Sequence, residues 1–116
     1  MDLVVDVYDE SRGFPKEELY GLVSQMRRAV VSVPSNIAEG KGRLTNRDRA
    51  HFYYQARGSL LELETQVLIA KRLGYIAAER ADDLIELAAE LGRMLNALIR
   101  SIGLTEKQRP PTLLEV

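Results

Sequence analysis

Residues Ser32 to Arg43 read SVPSNIAEGKGR, and the fold turns on whether Pro34 ends a helix or interrupts one. Around this stretch Leu19, Leu22, Met26, Val30, Val33 and Ile37 recur every three or four residues. That spacing is one apolar face of a helix. The stripe keeps its phase across Pro34. An interior proline removes one backbone hydrogen bond and bends a helix without having to end it. The reading is one kinked helix that ends at Gly40 and Gly42, with glycine supplying a left-handed turn. Ser35 and Asn36 are then placed to hydrogen-bond the carbonyls freed by Pro34. Gly40-Lys41-Gly42-Arg43 looks like a phosphate cradle, but a Walker loop needs a preceding strand and a Ser or Thr after its lysine. Neither is present. Lys41 and Arg43 read instead as cations beside the negative end of a helix dipole.

Working outward, Leu3, Val4, Val7 and Tyr8 define a short first helix over Asp2 to Ser11. Gly13 breaks it. Pro15 suits the first turn of the second helix, with Glu17 and Glu18 near its positive end. Thr45 or Asn46 caps a third helix, and Asp48 follows Thr45 by three residues as in a capping box. Its stripe is Phe52, Ala56, Leu60, Leu63, Val67 and Ala70, ending near Gly74. Gly58 costs that helix about 1 kcal/mol against alanine, which the close approach of a neighbouring helix would explain. A fourth helix starts near Ala78 and carries Leu84, Ala88, Leu91, Leu95, Leu98 and Ile102 at coiled-coil-like spacing until Gly103. The expected fold is all-α: an antiparallel up-and-down four-helix bundle over residues 1–103, followed by a flexible tail, 104–116. The long helices span roughly 24 to 29 residues, about 40 Å, while the first has about 10. Part of the apolar seam then lies uncovered, which predicts self-association.

A chain of 116 residues supports one core. It has no cysteine, so neither disulfides nor thiolate metal sites are available. No apolar run reaches the roughly 18 residues of a membrane span, and the N-terminus is acidic where a signal peptide is basic. The expectation is a soluble, cytoplasmic protein. Net charge is -1, but its distribution is uneven. Between Tyr20 and Leu61 stand seven basic residues, Arg27, Arg28, Lys41, Arg43, Arg47, Arg49 and Arg57, against two acidic ones, Glu39 and Asp48. An excess of about five positive charges there makes these seven residues the candidates for an anionic partner.

Catalysis finds little support. His51 is the only histidine, so the Glu-x-x-His pairs of a di-iron bundle cannot be built. Ser32, Ser35 and Ser59 lack a histidine base. No metal or cofactor is expected. Glu39 and Glu62 are expected to pair with Arg28, Arg57, Asn36 or Ser59, because an unpaired buried carboxylate costs several kcal/mol. Tyr53 and Tyr54, with Arg49 and Arg57, offer stacking surface for bases, but helical spacing sends one of the two into the core.

The run GFPKEELYGLVSQMRRAVVSVPSNIAEGKGR, followed by ARGSLLELETQVLIAKRLGYI, resembles the bacterial four-helix-bundle family of 23S rRNA intervening-sequence proteins. That family includes the accessory variability protein of diversity-generating retroelements. The resemblance covers Tyr8 to about Ile102. Its sharpest parts are Phe14-Pro15, Gln25 with Arg27-Arg28, the string Pro34 to Gly40 with Asn36 and Glu39, and Gly58-Ser59 with Glu62, Leu63 and Glu64. The family's first helix usually starts a turn or more earlier, with a tryptophan; this chain has none. The resemblance implies a bundle that assembles into a ring, commonly a homopentamer. Its retroelement member binds nucleic acid and a reverse transcriptase through basic surface. The expectation is therefore a non-enzymatic homo-oligomeric adaptor for RNA or DNA, or for a reverse transcriptase. The alternative is a purely structural oligomer whose arginines serve internal contacts.

Overall fold

The computed structural model describes residues 2–103, so the tail expected at 104–116 lies outside the described residues. Four α-helices account for nearly all of it: α1 Asp2–Ser11, α2 Leu22–Lys41, α3 Asn46–Arg72 and α4 Ala78–Ile102. A single 3₁₀ turn, Lys16–Glu18, lies between α1 and α2, and there is no strand among the described residues. α2 packs on α3, α3 on α4, and α1 on both α2 and α4, which is the expected up-and-down order. The body measures 45 × 27 × 21 Å.

The periodic residues form the core. Leu3 and Val7 of α1, Met26, Val30 and Val33 of α2, Leu63 and Val67 of α3, and Leu84 and Leu95 of α4 are all fully buried. Each contributes about 1.5–3 kcal/mol through lost apolar exposure. α2 runs through Pro34 without ending, because the stripe on both sides of it stays packed. Ser35 Oγ donates to the Val31 carbonyl at 2.9 Å, and Asn36 Nδ2 to the Ser32 carbonyl at 2.9 Å. These carbonyls are not the one whose partner Pro34 removes. That one belongs to Val30, four residues back. Asn36 Nδ2 also reaches Ser32 Oγ at 2.9 Å, and Ser32 Oγ meets Ser59 Oγ of α3 at 2.8 Å. The motif's polar residues thus tie α2 to α3.

Four expectations need correction. Pro15 opens the 3₁₀ turn, not α2. The chain makes i-to-i+3 bonds from Leu19 to Lys16 and from Gly21 to Glu18 before α2 starts, so Leu19 lies outside the stripe and is half exposed. On α3 the buried aromatic is Tyr53, not Phe52. The seam runs through Ala50, Tyr53 and Ala56, and from Ala56 to Ala70 it keeps the expected register. The α2 terminus uses no left-handed glycine: Gly42 caps it at φ -82°, and Gly40 sits inside the helix. Gly40 is there because Tyr53 occupies the space of its missing side chain. A Cβ added to Gly40 would fall 2.5 Å from Tyr53 Cε1.

Gly58 is the opposite case. Nothing lies within 4 Å of the place its Cβ would take, so no neighbouring helix within the chain explains it. Gly58→Ala should raise stability by about 1 kcal/mol, the helix-propensity difference alone. Urea denaturation of the two proteins side by side would read this as a higher midpoint with an unchanged slope.

Candidate nucleic-acid interface

The α2–α3 connection and the end of α4 meet at one end of the bundle. Thr45 caps α3 by accepting from the Asp48 amide at 3.1 Å. This is the cap expected from the sequence, and it holds the first turn of α3 in place. Asn46 extends the construction. Its Nδ2 donates to the Ile102 carbonyl at 3.3 Å, and its Oδ1 accepts from Arg49 Nη1 at 2.8 Å. The last turn of α4 is thereby held against the first turn of α3.

Four of the seven sequence-derived basic residues gather on this end. Arg49 Nε donates to the Arg43 carbonyl at 3.0 Å, which fixes the two residues together. Arg43 pairs with Glu39 at 2.9 Å and lies 4.6 Å over the Phe52 ring. Lys41 and Arg47 are exposed, and neither makes an ion pair or side-chain hydrogen bond among the described residues. α4 adds Arg100, also exposed, in its last turn. The sequence reading missed Arg100. The antiparallel order was the available signal, since it brings the C-terminus of α4 to the α2–α3 turn. Among the described residues, five cations at this end therefore stand against Glu39, already paired, and Asp48.

The other three candidates lie elsewhere. Arg27 is half-buried at the α1–α2 seam, donating Nε to Ser11 Oγ at 3.0 Å and lying 4.7 Å from the Tyr8 ring. Arg28 is exposed on the outer face of α2. It lies about 20 Å along the helix from Lys41, at 1.5 Å per residue. Arg57 faces α4, donating to Asn96 Oδ1 at 3.0 Å and stacking 4.7 Å over Tyr54. Tyr53 is buried and Tyr54 is covered by Arg57, so neither offers a free ring.

The carboxylates expected as internal ties are not. Glu39 bonds Arg43 on the surface, and Glu62 is exposed without an ion pair among the described residues. Neither pairs with Arg28, Arg57, Asn36 or Ser59, because neither is buried. Water satisfies them, and the interior tie is made by neutral side chains instead. His51 is exposed, its Nε2 lying 3.1 Å from Gln55 Nε2.

The opposite end has the opposite character. Glu17 and Glu18 of the 3₁₀ turn, with Glu79, Asp82 and Asp83 of α4, lie there beside Lys16, Arg72 and Arg80. Arg80 Nε donates to Glu10 at 2.7 Å, which raises the guanidinium pKa, and Lys71 pairs with Asp82 at 3.0 Å. Partial desolvation of the Tyr75 phenol, with Glu18 beside it, likewise raises the Tyr75 pKa. The bundle is therefore charged unevenly along its length, basic where α2 and α4 end and acidic where they begin.

No helix among the described residues is long and apolar enough to cross a membrane. No curated protein matches the chain. The model of one family does, 23S rRNA-intervening sequence protein, over residues 1–97. The match runs from α1 through most of α4, so it takes in the α2–α3 turn and stops short of Arg100. On this evidence the chain belongs to the 23S rRNA-intervening sequence protein family.

Proposed function

We propose that this protein is a non-enzymatic, homo-oligomeric cytoplasmic adaptor that binds RNA or DNA through its basic end. A reverse transcriptase, the partner implied by the retroelement member of the family, is the enzyme it would serve. The observation that carries this reading is Lys41 and Arg47, exposed and without an ion pair among the described residues, set beside Arg43, Arg49 and Arg100 with Glu39 paired to Arg43. Free cations are the ones that can displace counterions from phosphates. One copy offers few such contacts. A ring of copies, the homopentamer of the resemblance, would present them together and convert weak sites into a useful affinity.

A second reading has its own observation. α2 and α4 both end at the basic end and only α3 starts there, so two negative dipole ends face one positive end. The cations could serve that imbalance alone, in a purely structural oligomer. Titrating labelled single-stranded RNA and duplex DNA with the protein, over a series of salt concentrations, separates the two. The adaptor reading expects binding at low salt and a linear fall of log K with log salt. Absence of binding at low salt, or an affinity flat in salt, would leave the structural oligomer.

A further inference from the structure

Phosphate contacts alone do not tell a single strand from a duplex. Base faces do, because a duplex keeps them stacked inside, whereas an unpaired strand can lay a base on an exposed ring. What the basic end can hold therefore depends on whether it carries an uncovered ring. Most rings of the bundle are engaged. Tyr53 is buried. Three arginines each lie over one ring: Arg27 on Tyr8 at 4.7 Å, Arg43 on Phe52 at 4.6 Å and Arg57 on Tyr54 at 4.7 Å. Phe14 and Tyr75 pack on each other with centroids 5.3 Å apart. Tyr20 is exposed, but it follows the 3₁₀ turn at the acidic end. That places it about 30 Å along α2 from Lys41, at 1.5 Å per residue.

His51 is the exception. It is exposed, and among the described residues no cation is stacked on its ring. It lies about 8 Å along α3 from the helix start. Arg47 precedes it by four residues, so the two share one face of α3. The imidazole is held in place from two sides. Phe52 meets it edge to face, with centroids 5.4 Å apart and planes at 78°. Gln55 Nε2 lies 3.1 Å from His51 Nε2. Arg43 lies over Phe52, so the ring that props His51 is itself tied to the α2–α3 turn. Asp48 stands three residues before His51 and is exposed. A carboxylate there disfavours a phosphate at the ring and leaves a neutral base face unaffected. Leu44, in the turn between Arg43 and Thr45, is 94% exposed, so it packs on almost nothing within the chain. A ring and an isobutyl group thus stand uncovered among the cations. Duplex phosphates make no use of either.

We infer that the basic end is a single-strand site: an unpaired base stacks on His51 while Arg47, one turn earlier on the same face, holds the adjoining phosphate. Leu44 gives apolar contact to the strand where it crosses the turn. The inference rests on the nucleic-acid adaptor reading above and specifies its substrate class. Stacking is tolerant of sequence because every base has a π-face. The site therefore selects unpaired strands over duplexes without selecting a sequence. Phe52 and Gln55 act as positioning residues, since they fix the plane of the imidazole.

The test measures the ratio of single-strand to duplex affinity in the full chain. The probes are labelled oligouridine RNA, labelled oligothymidine DNA and a labelled DNA duplex, all at one low salt concentration. Three variants separate ring from charge: His51→Ala removes both, His51→Tyr keeps a ring, and His51→Lys keeps a charge. The position is exposed, and circular dichroism should show wild-type helicity for each. His51→Ala should lower single-strand affinity by about five- to tenfold, the loss of one stacked base, and leave duplex affinity unchanged. His51→Tyr should keep the wild-type ratio. His51→Lys should not, because an added cation strengthens duplex and single strand alike. A loss on either single strand supports the inference, and the strand that shows it names the source. An unchanged ratio in His51→Ala overturns the inference, and so does a ratio restored by lysine but not by tyrosine. A wild type that binds the duplex alone overturns it too. In these cases the adaptor reading stands. A wild type that binds none of the three probes overturns that reading and this inference together.

Discussion

Gly40→Ala is expected to destabilise the protein by about 2 kcal/mol, although alanine is the better helix former by about 1 kcal/mol. The added methyl carbon would sit 2.5 Å from Tyr53 Cε1 and 2.9 Å from Cδ1. Carbon atoms pack at about 3.5–4.0 Å, so something has to move. The Arg49 carbonyl at 3.2 Å closes a further side with backbone. Tyr53 is buried, so its ring cannot swing into solvent without opening the α2–α3 seam. Overpacking of this kind costs roughly 1–3 kcal/mol or more, which outweighs the propensity gain. The sign of the effect is diagnostic. In a Tyr53→Ala background the obstruction is gone, and Gly40→Ala should become mildly stabilising. A double-mutant cycle by urea denaturation measures this coupling directly. Equal effects of Gly40→Ala in both backgrounds would show that the glycine is not there for the tyrosine.

Gly40 and Gly58 also show where the sequence stops being legible. Both are glycines inside apolar-striped helices, and in sequence they look alike. One leaves room for a ring from another helix and the other faces open space. Only the packing decides which is which, because the deciding atoms are distant in sequence. The same holds for Phe52 and Tyr53. Either aromatic can head the α3 stripe by spacing, and the vacancy at Gly40 selects Tyr53. By contrast, the four helices, the passage through Pro34 and the Thr45 cap follow from local periodicity and local hydrogen bonding, and those were legible. The start of α2 was not, because the 3₁₀ turn Lys16–Glu18 keeps nearly the same short-range spacing as a helix. The candidate site divides along the same line. Lys41, Arg43, Arg47 and Arg49 cluster because they share one turn of chain. Arg27, Arg28 and Arg57, counted with them on charge alone, are carried to other faces by the helices that bear them. Arg100 joins only through the return of α4.

The largest functional effect is expected from reversing the two cations of the basic end that make no ion pair among the described residues. Lys41→Glu with Arg47→Glu should weaken binding to single-stranded RNA or duplex DNA by about a hundredfold or more at low salt, and should flatten the salt dependence. Each phosphate contact contributes about 0.9 to the log–log slope for duplex DNA and about 0.7 for a single strand, so two lost contacts lower the slope by about 1.4–1.8 per copy engaged. Stability should hardly change, since both side chains are exposed and unpaired among the described residues, and exposed charges contribute about 0–1 kcal/mol. The matching control is Lys16→Glu with Arg72→Glu at the acidic end. It changes the net charge by the same amount on exposed residues that make no ion pair among those described. If the interface is local, the control binds nucleic acid within a few-fold of wild type while the basic-end variant does not. If only the whole-protein field matters, the two variants lose affinity equally, and the assignment of binding to the α2–α3 turn fails. Arg43 and Arg49 are left unaltered in this comparison because they hold the turn through Glu39, Phe52, Asn46 and the Arg43 carbonyl. Changing them would confound lost phosphate contacts with a displaced α3 start. Confining the reversal to Lys41 and Arg47 therefore separates what the basic end contacts from what keeps it in shape.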